Sequence, residues 1–326
     1  MVIITPKLKL TKLQQKVLEL KKELNAVILA HNYQRPEIQD IADFTGDSLE
    51  LARKCVGAEA EVIVFCGVLF MAETAAILNP SSLVLLSHHE AGCPLADRID
   101  VKALRQWKEK YPQAAVVSYV NTTAAIKAES DICCTSANGV EVVEAVPNEE
   151  VLFIPDRNLG HYISTKTSKK MILYPGFCHV HDEITAEELK LAKIRYPQAE
   201  VLVHPECRPE VVNLADAALS TSQILRFAKQ STHRAFLIGT EEGILYPLRK
   251  QNPEKEFHLL SDKLFCPDMK KTTLEVVVET METRRNVVTV PEEIRIRAKQ
   301  AIDKMLAVTW NGKSSSLMEE GQGEGE

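Results

Sequence analysis

The chain has 326 residues, 45% of them apolar and 26% charged, which is typical of a globular protein with a substantial buried core. Its formal net charge of −6 argues against a protein that binds nucleic acid, because such proteins are usually basic. The sequence shows neither an apolar run long enough for a membrane span nor an N-terminal export signal, so we expect a cytoplasmic protein without a membrane partner.

The spacing of apolar residues predicts an N-terminal amphipathic helix followed by an α/β fold. Apolar side chains recur at helical intervals between Lys7 and Asn25. Further along, short β-rich runs alternate with helical stretches, which predicts parallel sheets. The predicted strands are Ala26–Ala30, Glu61–Phe65, Ala114–Tyr119, Val151–Ile154, Glu200–Val203 and Arg234–Ile238. The Gly-, Ser- and Glu-rich segment 312–326 is predicted to be disordered, because it can bury little apolar area.

An internal repeat indicates that the α/β part consists of three copies of one unit. The segment Lys-Tyr-Pro-Gln-Ala-Ala-Val that starts at Lys110 recurs with two changes at Arg195, 85 residues later. Each copy follows a helical stretch and leads into a predicted strand. A repeat of this period predicts one supersecondary unit used several times. We predict units at 1–100 (including the N-terminal helix), 101–184 and 185–311, and the tail at 312–326.

Polar residues follow the first strand of each unit. In open parallel sheets, ligands bind beyond the carboxyl ends of the strands. If the three units pack about a pseudo-threefold axis, three such ends converge on one central site. The residues are His31 and Tyr33, Tyr119 and Asn121, and His204 and Glu206. Seventeen residues after His31, Tyr119 and His204 come Ser48, Ser136 and Thr221, each at the start of a helical stretch. These hydroxyls are either plain N-caps or contacts for an anionic ligand, and the sequence leaves both interpretations open.

Three cysteines share the period of the repeat and are candidate metal ligands. Cys93, Cys178 and Cys266 are 85 and 88 residues apart, so each unit contributes one. Three converging thiolates suit a soft metal centre, and on a four-iron cluster they would leave one iron open to substrate. The alternative for each is a small buried apolar residue, since the sequence has no CxxC motif. The other cysteines are interpreted as buried thiols: Cys55, Cys66, Cys133, Cys134 and Cys207.

Several other polar residues are weaker candidates. His181 follows Cys178 closely and, like the strand-end residues, is suited to proton transfer. Arg35, Lys127 and Arg208 could neutralise an anionic substrate, although solvated surface charges are the favoured interpretation. Five other histidines are interpreted as structural: His88, His89, His161, His233 and His258.

Nine short segments, in this order along the chain, together resemble the quinolinate synthase family. They are His31-Asn-Tyr33, Asp47-Ser48, Tyr119-Val-Asn121, Thr135-Ser136, Cys178-His-Val-His181, His204-Pro-Glu-Cys207, Ser220-Thr-Ser222, Gly239-Thr-Glu241 and Cys266-Pro-Asp-Met269. The resemblance runs from Ala26 to Arg285. It implies three pseudo-symmetric αβα sandwich domains, with parallel sheets, around a central active site. It also implies one [4Fe–4S] cluster per chain, held by Cys93, Cys178 and Cys266 with one open iron.

The resemblance further implies the reaction and the roles of the site residues. Family members condense iminoaspartate with dihydroxyacetone phosphate and release phosphate and two waters, in de novo NAD biosynthesis. An enzyme that oxidises L-aspartate is a possible partner. The implied catalytic residues are Tyr33, Tyr119, His204 and Glu206. The implied substrate-binding residues are His31, Ser48, Tyr119, Asn121, Ser136, His204, Glu206 and Thr221.

Three other functions remain as alternatives at the level of sequence. The first is another three-cysteine cluster enzyme of similar build, such as a diphthamide-synthesis radical enzyme or an isoprenoid reductase, which would need a reductant. The second is a cluster-based sensor, which the acidic charge disfavours. The third is a metal-free protein that binds a sugar phosphate, which would contain neither iron nor sulfide.

Overall fold

The structure, a computed structural model, describes residues 10–57 and 59–311 and is built on three sheets of four parallel strands each. The first sheet comprises β1 (Ala26–His31), β2 (Phe44–Gly46), β3 (Val62–Cys66) and β4 (Leu83–Leu86), in the order β2-β1-β3-β4. The helices of this unit are α1 (Lys12–Glu23), α2 (Pro36–Gln39), α3 (Ser48–Cys55) and α4 (Leu69–Leu78).

The second sheet repeats this arrangement. It comprises β5 (Ala115–Tyr119), β6 (Ile132–Cys134), β7 (Glu150–Ile154) and β8 (Lys170–Leu173), in the order β6-β5-β7-β8. Its helices are α5 (Val101–Lys110), α6 (Ala124–Ala128), α7 (Gly139–Ala145) and α8 (Arg157–Ser164).

The third sheet has the same order again, and two further helices follow it. It comprises β9 (Glu200–Val203), β10 (Ala217–Ala218), β11 (Ala235–Gly239) and β12 (Glu256–Leu259), in the order β10-β9-β11-β12. The accompanying helices are α9 (His179–Asp182), α10 (Ala186–Arg195), α11 (Pro209–Val212), α12 (Thr221–Gln230) and α13 (Leu245–Gln251). The last two helices are α14 (Leu274–Thr283) and α15 (Glu292–Asn311).

The predicted fold class, α/β with three parallel sheets flanked by helices, is confirmed. The six predicted strands are the two central strands of each sheet, whereas all six edge strands were missed. Central strands such as β3 and β7 are buried almost throughout and therefore appear as unbroken apolar runs. Edge strands are shorter, and β10 has only two residues, so their periodicity is too brief to be recognised.

A repeated aspartate sets the register of each edge strand. Asp43, Asp131 and Asp216 each accept the backbone N–H of a first-strand residue 15 positions earlier, at 2.7–2.8 Å. Each aspartate also donates its own N–H to the C=O of that same residue. The first-strand partners are Ile28, Val116 and Val201. Two bonds to one residue fix the pairing of the second strand with the first in all three units.

The two C-terminal helices pack outside the third sheet. Leu274, Val277 and Met281 of α14 are buried with residues of α1 in the first unit. Helix α15 buries Ile302 and Met305 against α4, α6 and β6, and so joins the first and second units. The predicted tail, 312–326, lies outside the described residues. Within the described ranges, no helix is both long and apolar enough to cross a membrane.

Candidate active site

A cavity of about 80 Å³ receives side chains from all three units. It lies at the carboxyl ends of the first strands, where parallel α/β sheets bind their ligands. The structure places every predicted site residue in its lining: His31, Tyr33, Ser48, Cys93, Tyr119, Asn121, Ser136, Cys178, His204, Glu206, Thr221 and Cys266. Each unit contributes four of them, so segments far apart in the sequence meet at one place.

The three cysteines occupy equivalent turns. The C=O groups of Cys93, Cys178 and Cys266 accept the N–H of the residue four positions later, at 3.2, 2.9 and 3.2 Å. Burial raises the pKa of the Cys93 thiol to about 12 and that of Cys266 to about 11, and it raises the pKa of Cys178 as well. Each thiol therefore has to lose its proton in order to bind a metal.

The donor set fits a soft metal centre with sulfur ligands. Three thiols from equivalent turns line one cavity, and thiolates are the ligands that iron–sulfur clusters use. A second set is also present, because donor atoms of Cys178, His181 and Glu206 lie within 4.8 Å of one another. A mixed sulfur, nitrogen and oxygen set suits zinc. His181 and Glu206 are already hydrogen-bonded to each other, so the three cysteines form the better candidate metal site.

A chain of four side chains crosses the cavity wall. Tyr33 Oη lies 2.5 Å from Thr240 Oγ1, which lies 2.9 Å from His181 Nε2. His181 Nδ1 lies 2.9 Å from Glu206 Oε2. If His181 donates from Nδ1 to the carboxylate, its Nε2 accepts from Thr240, and Thr240 accepts from Tyr33. A proton released at Tyr33 then has a route toward Glu206. The same Nδ1 of His181 also lies 3.3 Å from Cys178 Sγ.

Glu206 is the anionic centre of this network. Burial alone would raise the pKa of Glu206, but His204 and His181 beside it outweigh burial and hold the pKa well below its usual range. Burial lowers the pKa of His204, whose Nδ1 lies 3.1 Å from Glu206 Oε2. Glu206 is therefore ionised at neutral pH, and His204 is a neutral hydrogen-bonding group.

Three other titratable groups in the lining, His31, Tyr33 and Tyr119, are neutral. Burial lowers the pKa of His31 to about 3, with further contributions from His204 and Lys270. His31 Nδ1 accepts the backbone N–H of Tyr33 at 3.1 Å, so its Nε2 carries the proton. Burial raises the pKa values of Tyr33 and Tyr119 well above 10. Both phenols remain protonated and can donate a hydrogen bond to a substrate oxygen.

The structure excludes the N-cap interpretation for the hydroxyls of Ser48 and Thr221, whereas Ser136 is not at a helix start, since α7 begins at Gly139. The N-cap of α3 is Asp47, which accepts the N–H groups of Leu49 and Glu50. The N-cap of α12 is Ser220, and Thr221 follows it. Ser48 and Thr221 are thus the first helical residues, and their hydroxyls are not needed for capping. The third hydroxyl, Ser136, lies 3.2 Å from His204 Nε2.

Two polar atoms of the lining are buried without a hydrogen-bond partner within the described part of the chain. They are Asn121 Oδ1 and Glu206 Oε1. Burying an unpaired polar atom costs about 1–3 kcal/mol, and such costs are tolerated mainly at functional sites. Both atoms lie where a ligand could donate hydrogen bonds to them, which marks the cavity as a binding site.

The three predicted surface cations lie outside the cavity lining. Arg35 Nη2 donates to the C=O of Lys270 at 2.9 Å, and Arg208 lies 3.5 Å from Asp182. The interpretation of Lys127 as a solvated surface charge is wrong. Its side chain is fully buried, and its ammonium group donates to the C=O of Thr122.

The proton-transfer role expected for His181 agrees with its contacts to Glu206 and Thr240, whereas nothing in the sequence singled out Thr240 by itself. His181 lies one helical turn after Cys178. Thr240 directly follows β11, at the carboxyl end of a central strand, where functional residues of parallel sheets are found. Cys207 is buried outside the lining, and its thiol donates to the C=O of Gly239 at 3.4 Å.

The chain is similar to the members of one protein family over most of its length. Residues 15–307 match the family model described as quinolinate synthetase A protein. The chain is 51% identical over 295 residues to quinolinate synthase of Thermodesulfovibrio yellowstonii, covering 90% of this chain and 97% of that protein. It is 54% identical over 297 residues to quinolinate synthase of a Dehalococcoides mccartyi strain, covering 91% and 98%. Quinolinate synthase 1 of Methanosarcina acetivorans is 52% identical over 294 residues, covering 90% and 97%. The matched residues include all three sheets and every residue of the predicted site.

Proposed function

This chain belongs to the quinolinate synthetase A family, and from that premise we propose that it condenses iminoaspartate with dihydroxyacetone phosphate at a [4Fe–4S] cluster. Its activity is the synthesis of quinolinate in NAD biosynthesis. The observation that supports the cluster is the meeting of three equivalent cysteines in one cavity. The family match favours this function over the radical enzyme and the reductase considered from the sequence.

Cys93, Cys178 and Cys266 would hold the cluster. Three protein ligands leave one iron of a four-iron cluster open. When bound, the cluster supplies a Lewis acid that polarises a C–O bond and assists the loss of water. The chain's own residues bind the substrates, orient them and move protons.

The substrate carboxylates and phosphate would be bound by neutral donors. Ser48 and Thr221 lie at the N-termini of α3 and α12, where the helix dipole favours an anion. His31 offers its Nε2–H from the neighbouring strand end, and Asn121 offers an amide. Neutral donors suit this reaction, because they bind charged substrates without neutralising Glu206.

Proton transfers would use Tyr33 and Glu206, the two ends of the chain of four hydrogen-bonded side chains. Glu206 is ionised and can accept a proton from a substrate carbon or oxygen beside it. Tyr33 and Tyr119 are protonated and can stabilise developing negative charge on a substrate oxygen. His181 and Thr240 connect Tyr33 to Glu206, so a proton can be returned without the entry of water.

The proposal extends to the supply of substrate and to the compartment. An imine hydrolyses in water, so an enzyme that oxidises L-aspartate is the partner we propose as its source. All eight cysteines are free thiols, which supports a reducing compartment such as the cytoplasm.

Anaerobic purification with metal and sulfide analysis tests the proposal. We expect about four irons and four sulfides per chain. We also expect quinolinate to form from iminoaspartate and dihydroxyacetone phosphate without an added reductant. Stoichiometric zinc in place of iron, or a strict requirement for an electron donor, would contradict the proposal.

A further inference from the structure

The three cysteine-bearing loops share one backbone bridge. In each unit, a backbone N–H shortly after the third strand donates to the C=O of the residue two positions before the cysteine, at 2.8–2.9 Å. The three bridges are Leu69 to Ala91, Arg157 to Gly176 and Glu242 to Leu264. The backbone around each cysteine is therefore built in the same way.

The loops differ in the side chain directly before the bridging N–H. In the second unit this residue is Asp156, whose Oδ2 accepts the backbone N–H of Cys178 at 2.9 Å. In the third unit it is Glu241, whose Oε1 accepts the backbone N–H of Cys266 at 3.1 Å. In the first unit the equivalent residue is Val68, whose side chain has no atom that can accept a hydrogen bond.

Both carboxylates are buried and anchored at their other oxygen. Asp156 and Glu241 are 0% exposed. Asp156 Oδ1 accepts the N–H of Leu159 at 2.8 Å, and Glu241 Oε2 accepts the N–H of Gly243 at 2.8 Å. Each carboxylate thus ties a cysteine to the end of a central strand, which is a rigid part of the fold.

Glu241 also connects its cysteine to the catalytic side of the cavity. Lys270 Nζ lies 2.9 Å from Glu241 Oε1 and 3.1 Å from Glu241 Oε2. The same ammonium donates to the C=O of Tyr33 at 2.6 Å. One buried ion pair therefore holds both the backbone of Cys266 and the backbone of Tyr33.

We propose that Asp156 and Glu241 are positioning residues that aim Cys178 and Cys266 at the metal centre, and that Cys93 is the ligand held without such support. This inference rests on the proposed function, because it takes the three cysteines as cluster ligands. Groups that orient metal ligands typically contribute 10- to 100-fold to metal affinity. Because only Cys178 and Cys266 have a supporting carboxyl group, the cluster would be held more rigidly on their side than at Cys93.

The test compares Asp156→Asn and Glu241→Gln with the wild-type holoenzyme, purified anaerobically. An amide has one acceptor oxygen instead of two, so each variant loses one of the two anchoring bonds. The measured quantity is the rate of iron loss to a chelator. We expect a rate about 10- to 100-fold faster than wild type in both variants.

The matched control is Asp131→Asn. Asp131 also accepts a backbone N–H, that of Val116 at 2.7 Å, but it lies outside the cavity lining. Its iron-loss rate is expected to remain within about twofold of wild type, as for a site without contact to a ligand. If the amide variants fail to fold, Asp156→Glu and Glu241→Asp keep the carboxyl group but change the length of the side chain, and both should still release iron faster than wild type.

A redox measurement separates positioning from a merely structural role. Glu241→Gln removes a buried negative charge beside a ligand loop and leaves the Lys270 ammonium unbalanced, so the cluster midpoint potential should rise. An unchanged potential together with wild-type iron loss in both amide variants would overturn the inference while the proposed function stood. A wild-type protein without iron and sulfide would overturn the proposed function itself.

Discussion

At the scale of the residue, the site combines one ionised acid with neutral donors. Glu206 keeps its charge because two imidazoles face it, whereas His31, Tyr33 and Tyr119 are held neutral by burial. Such separation of pKa values within one cavity distinguishes a proton acceptor from groups that only donate hydrogen bonds. Two predictions concern single residues of the site.

We predict that three of the eight cysteines bind the cluster and that the other five do not. Cys93→Ala, Cys178→Ala and Cys266→Ala should each abolish the cluster and quinolinate formation, because two thiolates cannot hold four irons firmly. Cys55→Ala and Cys207→Ala are the controls, since both thiols are buried outside the cavity lining. Iron and sulfide analysis of the anaerobically purified variants decides between the groups. Full iron content in any of the first three variants would refute the assignment of that cysteine.

Glu206→Gln should retain the cluster and lose turnover. The amide preserves the shape of the side chain but cannot take up a proton, and general bases typically contribute 10²–10⁴-fold to the rate. We therefore expect wild-type iron content with kcat reduced by about that factor. Glu254→Gln, at an exposed position, is the control and should have wild-type kcat. Wild-type kcat in Glu206→Gln would remove this residue from the mechanism.

At the scale of the element, adjacent residues at the start of a helix have separate functions. Asp47 caps α3, and its Oδ1 accepts from Leu49 N at 3.1 Å and Glu50 N at 3.0 Å. Ser48 follows it and lines the cavity. The same division recurs at Ser220 and Thr221 of α12. Because the preceding residue provides the cap, neither hydroxyl is needed for capping. The Thr221 hydroxyl accepts from Asn32 Nδ2 at 3.1 Å and can still donate to a ligand.

Substitutions of Asp47 and Ser48 should separate the stability of the fold from the binding of substrate. Asp47→Ala should lower the free energy of unfolding by about 1–2 kcal/mol, the usual cost of losing an N-cap. Ser48→Ala should change it by less than about 0.5 kcal/mol but should raise KM for a substrate. Urea unfolding and steady-state kinetics measure the two effects. Equal losses of stability in both variants would show that Ser48 also supports the helix.

At the scale of the whole molecule, three similar units supply three equivalent sets of residues. Measured from Ile28, Val116 and Val201, nine of the twelve site residues lie 3, 5 and 20 positions later in each unit, and the cysteines lie 65, 62 and 65 positions later. The units have diverged in side chains while keeping strand order and the bridge to each cysteine. The same backbone arrangement, used three times, therefore places different side chains on three sides of one cavity.

The C-terminal helix α15 holds two of these units together, and its contribution can be measured. Ile302 is fully buried where α15 packs on α4, α6 and β6. Ile302→Ala should lower the free energy of unfolding by about 2–5 kcal/mol, the range for truncating a buried large aliphatic side chain. Ile296→Ala is the control on the same helix, because Ile296 is 47% exposed, and it should cost less than about 1 kcal/mol. Similar losses in the two variants would show that α15 does not hold the units together as described.

The sequence by itself determined the central strands, the α/β class and twelve of the residues that line the cavity, because buried strands are apolar and the repeat places functional residues at similar intervals. Only the tertiary structure decided the edge strands, the pairing of His181 with Glu206 and the contacts of Asp156 and Glu241 with the cysteine loops. Those contacts join positions 22 to 25 residues apart that carry no pattern of their own. They form because packing brings a strand end against a loop, and a single sequence does not encode that distance in any local signal.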